Sequence, residues 1–76
     1  MTYMFHIGIE PDADQWRAYC PALESHAAST RGETREEALT HIHSICFMIV
    51  QQIVAHGGAV PADVELPNGT PISIEI

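Results

Sequence analysis

The 76-residue sequence contains no lysine, and its only Lys or Arg side chains are Arg17, Arg31 and Arg35. Ten acidic residues give the chain a formal net charge of −7. Contacts to nucleic-acid phosphates depend on Lys and Arg, so this composition argues against direct binding to DNA or RNA. The negative field of such a chain favours a basic protein as its partner. The alternative is that the acidic composition only keeps the protein soluble.

Cysteine and long apolar runs are scarce as well. Cys20 and Cys46 are too few for a disulfide framework, which favours reduced thiols in the cytoplasm. The N-terminus has no basic region followed by an apolar core, as a signal peptide would. No uninterrupted apolar run approaches the roughly 20 residues that cross a bilayer. We therefore expect a cytoplasmic protein without a membrane segment.

The length is that of one small domain, residues 1–76. A chain of this size buries only about 60% of the surface that its unfolded form exposes, so a second subunit is a reasonable expectation. Nearly half of the residues are hydrophobic, at 46%, which is too many for a disordered tail.

Alternation of apolar and polar residues predicts strands over 3–10 and 15–20, joined by the turn Pro11-Asp12-Ala13-Asp14. A third, shorter strand is expected over 27–31 and a last one over 72–76. On the second strand, Trp16, Ala18 and Cys20 share one face. Trp16 is therefore either a core residue or an aromatic anchor for a partner.

A long helix is predicted from about Thr34 to His56, with Gly57-Gly58 as its C-terminal stop. Thr34 and Glu37 have the spacing of a capping box, and Glu36 and Glu37 suit the positive end of the helix dipole. The element order is β-β-β-α-β. A right-handed crossover would place the last strand beside and parallel to the first, giving an α+β fold with a mixed sheet of order 3-2-1-4.

The apolar arc of this helix is wider than one small sheet requires. Phe47, Val50 and Val54 extend it on one flank, which predicts self-association into a homodimer or tetramer. The alternative is that residues 59–71 fold back over this flank.

The order and spacing of several short motifs resemble the HicB-like antitoxin family. The resemblance covers residues 3 to about 61 and consists of Phe5-His6-Ile7-Gly8-Ile9-Glu10, Tyr19-Cys20-Pro21-Ala22-Leu23, Gly32-Glu33-Thr34-Arg35-Glu36-Glu37-Ala38-Leu39, Gly57-Gly58 and Pro61. It implies a domain like a truncated ribonuclease H fold. It also implies a partner, a small basic HicA-type ribonuclease toxin whose active site the antitoxin covers.

Two features depart from the family pattern. The segment Glu24-Ser25-His26 stands where many members have Pro-Gly-Cys. Many members also carry a C-terminal DNA-binding domain after the last strand, and this sequence has none, so operator binding is not expected.

Catalytic and metal sites receive little support from the sequence. Glu10, Asp12 and Asp14 cluster in a predicted turn, whereas ribonuclease H chemistry needs carboxylates that converge on two metal ions. His41 and His43 are about 200° apart around the helix and cannot share one ion. Cys20 has no identifiable base beside it. We expect no enzyme activity, no cofactor and no metal site.

The sequence thus predicts a protein-binding domain of the antitoxin type. The residues expected to contact basic groups of the partner are Glu10, Asp12, Asp14 and Glu24, with the outward face of the hairpin, and Trp16 is the candidate aromatic anchor. Two alternatives remain open. The first is a HicB-like oligomeric regulatory or scaffold domain without a toxin, and the second is a small metal- or ligand-binding enzyme.

Overall fold

A computed structural model describes all residues, 1–76, and shows a small α+β domain. Its strands are β1 (Thr2–Asp12), β2 (Gln15–Tyr19), β3 (Ser29–Gly32) and β4 (Thr70–Glu75), and its helix is α1 (Arg35–Ala55). A 3-10 segment, Pro21–His26, connects β2 to β3. The predicted element order and the predicted strand order 3-2-1-4 are both confirmed.

The predicted mixed sheet is wrong, because every neighbouring pair of strands is antiparallel. β4 pairs with the first half of β1, from Thr70 opposite Ile7 to Glu75 opposite Thr2. A direct crossover from α1 would have made β4 parallel to β1. Instead residues 56–69 return along β1, where Asp63 binds His6, before β4 starts in the opposite direction.

The hairpin turn is shorter than the sequence suggested. β1 continues through Asp12, and only Ala13 and Asp14 lie between it and β2. Ala13 has a φ of 56°, the left-handed conformation that tight two-residue turns require. Glu10 and Asp12 therefore lie on a strand, where register fixes their neighbours, and not in the turn.

The start of α1 is capped as predicted, with one difference. The Thr34 hydroxyl accepts a hydrogen bond from the Glu37 amide at 3.0 Å. The Glu37 carboxylate reaches the amide of Glu33, at 3.4 Å, and not that of Thr34. One free N-terminal amide of the helix, that of Glu37, is therefore satisfied locally, and the Glu37 side chain also binds the amide just before the cap.

The core lies between α1 and one face of the sheet. Alternate residues of β1 supply Phe5 and Ile7, both buried, as the sequence period predicts. From α1 the buried residues recur every fourth position: Ala38, Ile42, Cys46 and Val50. The helix is long and apolar enough to cross a membrane by length and composition alone, but it packs here as the core helix of a compact domain, which meets the same test.

Two histidines join α1 to the outer strands of the sheet. His41 Nδ1 donates a hydrogen bond to the carbonyl of Arg31 on β3, at 3.0 Å. His43 Nε2 donates to the carbonyl of Ser73 on β4, at 2.9 Å. Because these residues project from opposite sides of the helix, α1 is fixed to both edges of the sheet.

Candidate interaction surface

The face of the sheet that points away from α1 carries two ion pairs. Arg17 on β2 contacts Glu10 on β1 at 3.0 Å, directly across the ladder. Arg31 on β3 contacts Asp12 at 3.1 Å. The four side chains are between 35% and 64% exposed, so each pair contributes at most about 1 kcal/mol to stability. Such weak pairs can exchange for contacts with a partner.

Tyr19 is the aromatic centre of this face. Its ring lies over Gly8, where an added Cβ would come within 2.2 Å of the ring carbon Cζ. The Arg17 guanidinium stacks on the same ring, 4.7 Å from its centroid, as a cation–π pair. Glycine is therefore required at position 8 if the ring is to lie flat on the sheet.

Shallow cavities flank the Tyr19 ring on both sides. One, of about 310 Å³, includes Arg17, Glu24 and Cys20 in its lining. The other, of about 250 Å³, lies between Tyr19, Glu10 and the segment around Leu66. We call the surface formed by Glu10, Asp12, Arg17, Tyr19, Glu24 and Arg31 the hairpin face. It combines a fixed aromatic ring with exposed carboxylates on either side.

Of the residues predicted to contact a partner, the structure brings three together on the hairpin face: Glu10, Asp12 and Glu24. Asp14 is exposed at the adjoining turn. Trp16 lies on the other side of β2, where it packs partly buried against the core. Trp16 and the carboxylates therefore do not share one surface.

Arg17 and Tyr19 are not among the individual residues predicted from the sequence to contact a partner. The sequence does indicate that both side chains point away from the core, since they alternate with the core residues Ala18 and Cys20. Only the register, which sets Tyr19 opposite Gly8 and Arg17 opposite Glu10, reveals that they organise the face.

A second exposed surface is apolar and lies along α1. An open groove of about 580 Å³ runs beside Met48, Ile49 and Ile53. Of the residues proposed for self-association, Val54 is 40% exposed, Phe47 is half-buried and Val50 is fully buried in the core. Val50 therefore supports the helix from within, and Phe47 and Val54 are the ones available to a second chain.

Away from the hairpin face, Asp63 forms a titratable pair with His6. Burial raises the pKa of Asp63, but hydrogen bonds and charge from His6 outweigh burial, so that the pKa of this carboxyl is lowered overall. His6 donates to Asp63 through its backbone amide, at 2.9 Å, and through its ring. No group of three or more His, Cys, Asp or Glu side chains is arranged to hold a metal ion.

No family model, curated protein or solved structure matches the chain.

Proposed function

We propose that this chain is a cytoplasmic, non-enzymatic, HicB-like antitoxin domain that binds a small basic HicA-type ribonuclease and covers its active site. The observation that supports the proposal best is the hairpin face of this strongly acidic chain. There Glu10 and Glu24 line the cavities on either side of the Tyr19 ring, and Asp12 lies further along β1. The order of motifs along the sequence and the strand order 3-2-1-4 also support the proposal, whereas the antiparallel β4 departs from the mixed sheet expected of such a domain.

Charge exchange would provide the binding energy and the specificity. Lys and Arg side chains of the partner would replace Arg17 and Arg31 at Glu10 and Asp12, at little cost because the existing pairs are exposed. The Tyr19 ring would supply rigid contact area at the centre, as aromatic residues do in many interfaces. The remaining negative charge would accelerate association at low ionic strength.

The sharpest test removes acids that have no ion pair within the chain. Asp14→Asn with Glu24→Gln lowers the charge beside the hairpin face without releasing an arginine. Glu65→Gln with Glu75→Gln is the matched control, since it removes the same charge from exposed positions elsewhere. The proposal requires a short, basic reading frame beside this gene, and affinity for its product is measured by titration calorimetry at low and moderate salt.

We expect the first double variant to weaken binding about tenfold at low salt, which corresponds to about 1.4 kcal/mol. The control should bind within about twofold of the unaltered chain. Equal losses in both variants would show that only net charge matters, and would count against the hairpin face as the binding site. Co-expression with the same protein, scored as rescue of growth, tests neutralisation itself.

The apolar flank of α1 favours a second function, that of a self-assembling regulatory or scaffold domain without a toxin. Val54 is exposed on the flank of α1, and Met48 is exposed in the lining of the groove beside it. A chain that forms homodimers or tetramers but binds no neighbouring gene product would support this alternative.

A further inference from the structure

The smaller cavity beside the Tyr19 ring, of about 250 Å³, is lined by groups of different chemistry. Tyr19 lines it from β2, residues 66–69 line it from the segment before β4, and Glu10 contributes a carboxylate from β1. We call this cavity the Tyr19 slot. Arg17 does not line the slot, because it lies at the cavity on the other side of the ring. The volume is below the roughly 300–1,000 Å³ of small-molecule sites, so the slot suits a single side chain.

The segment 66–69 is held in place by contacts on both sides of the slot. The Gly69 amide donates a hydrogen bond to the Leu66 carbonyl at 2.9 Å, which closes the turn. An added Cβ on Gly69 would come within 2.8 Å of the Leu66 Cβ and 3.3 Å of the His6 Cβ, so the turn packs tightly against β1. Asp63, just before the turn, binds the amide and the ring of His6. The slot is therefore preformed, and filling it costs little conformational entropy.

Glu10 provides the slot with a free hydrogen-bond acceptor. Within the chain this carboxylate is bonded only through Oε1, to Nη1 of Arg17 at 3.0 Å. The Glu10 side chain is 53% exposed. The two oxygens of a carboxylate offer about four acceptor positions, so Oε2 can accept hydrogen bonds from a second cation while Arg17 stays in place. The net charge of −7 offsets the repulsion between the two cations.

Arg17 shows which cation these groups accept. Its guanidinium satisfies both of them at once, since it pairs with Glu10 and lies 4.7 Å from the centroid of the Tyr19 ring. A planar guanidinium can stack on an aromatic ring and donate two hydrogen bonds to a carboxylate in the same pose. The ammonium group of lysine is a compact point charge with no plane to stack. The slot therefore favours arginine over lysine.

We propose that the Tyr19 slot binds one arginine side chain of a protein partner, with the guanidinium at Glu10 Oε2 and the stem against Leu66 and Pro67. This inference rests on the proposed function, because it takes the hairpin face to be the docking surface. It adds the identity of the inserted residue and its position. It also gives the charge exchange a first step, since the incoming arginine binds Glu10 before Arg17 leaves.

The test uses the full chain labelled for heteronuclear NMR and three blocked tripeptides, Gly-Arg-Gly and its forms with lysine or citrulline in place of arginine. We expect the arginine peptide to shift the amide signals of Gly8, Tyr19 and Gly69 saturably, with a dissociation constant on the order of millimolar. The lysine peptide should bind about threefold more weakly. Citrulline, which has the shape of arginine without its charge, should give no saturable shift. Equal shifts from arginine and citrulline, or arginine shifts confined to other parts of the chain, would overturn the proposal.

Two variants assign the roles of the carboxylate and the ring. Glu10→Gln should weaken binding of the arginine peptide at least about fivefold, whereas Glu75→Gln, which removes the same charge from an exposed position on β4, should change it less than about twofold. Tyr19→Leu should abolish the preference for arginine over lysine, because it removes the ring and no charge. A preference that persists in Tyr19→Leu would contradict the slot. The titrations of the unaltered chain stand without either variant.

A second measurement separates this inference from the proposed function. Calorimetry compares binding of the basic product of the neighbouring gene to the unaltered chain and to Glu10→Gln. Equal affinities would overturn the slot as a contact and leave the proposed function standing. Binding of the arginine peptide in the slot, together with no binding of the neighbouring product, would uphold the slot and refute the proposed partner.

Discussion

At the scale of single residues, Gly32 shows how one missing side chain positions a whole helix. A Cβ at this position would come within 2.5 Å of the backbone nitrogen of Ala38, in the first turn of α1. The atom it would meet belongs to the main chain and cannot rotate away. Gly32 is thus required for close contact between the end of β3 and the start of α1, and not for an unusual backbone angle.

Replacing Gly32 with alanine should therefore destabilise the fold. We expect the free energy of unfolding to fall by about 1–3 kcal/mol, the range that overpacking of a tight contact costs. Urea denaturation followed by circular dichroism measures the loss. Gly57→Asn is the control, because Gly57 has a φ of 72°, which asparagine tolerates, and no atom lies within 4 Å of its added Cβ. Equal stability of the two variants would contradict the close contact.

At the scale of elements, the segment 56–69 decides the direction of β4. It is held against β1 by Asp63, whose two oxygens accept hydrogen bonds from the amide and the ring of His6. Val60 also packs against the core. These contacts turn the chain back before β4 starts, so the last strand runs antiparallel to the first.

Asp63→Asn should loosen this segment in a pH-dependent manner. We expect a loss of roughly 0.5–1 kcal/mol at neutral pH, since the charged hydrogen bond is partly exposed. The pKa of Asp63 is lowered in the folded chain, so its contribution is complete above the ordinary pKa of aspartate and disappears as pH falls through the folded value. Urea titrations of the unaltered chain and of Asp63→Asn should show that their difference in free energy of unfolding is smaller at acidic than at neutral pH. If this difference were the same at both pH values, the Asp63 carboxylate could not be its source.

The helix and the alternating strands could be predicted from sequence because their signals are local. Thr34 caps α1 three residues before its bonding partner, and Phe5 and Ile7 follow the two-residue period of a strand. The direction of β4 could not be predicted, because it depends on a contact between His6 and Asp63, which are 57 residues apart. The acids Glu10 and Asp12 were visible in the sequence. Their arginine partners depend on strand register, which composition does not show.

At the scale of the whole molecule, charge and apolar surface are separated. Residues 38–55 of α1 contain no Asp, Glu, Lys or Arg, although the chain carries a net charge of −7. Two copies that met along this helix would bury apolar flanks without opposing their acids. The hairpin face would remain open on the opposite side of the sheet in such an assembly.

A glutamate on the helix flank should therefore disrupt self-association. We expect Val54→Glu to raise the dissociation constant of the oligomer at least about tenfold, since an ionised carboxylate is costly to bury. Sedimentation velocity would show a shift towards the monomer of 8.3 kDa. Thr40→Glu adds the same charge at an exposed position nearer the start of α1 and should leave assembly unchanged. Met48→Glu then tests the groove separately, and unchanged assembly in both Val54→Glu and Met48→Glu would place the contact elsewhere.

The hydrogen bonds from His41 to β3 and from His43 to β4 have a consequence for how this molecule can meet others. Each occupies a main-chain carbonyl on an outer strand, and Pro71 has no amide to offer on β4. Edge strands of this kind are poor templates for an added strand, which limits the stacking of molecules into fibrils at high concentration. A binding partner would then have to contact the side chains of this protein and not its strand edges. Surface substitutions that leave the backbone unchanged can therefore alter which partner this protein binds.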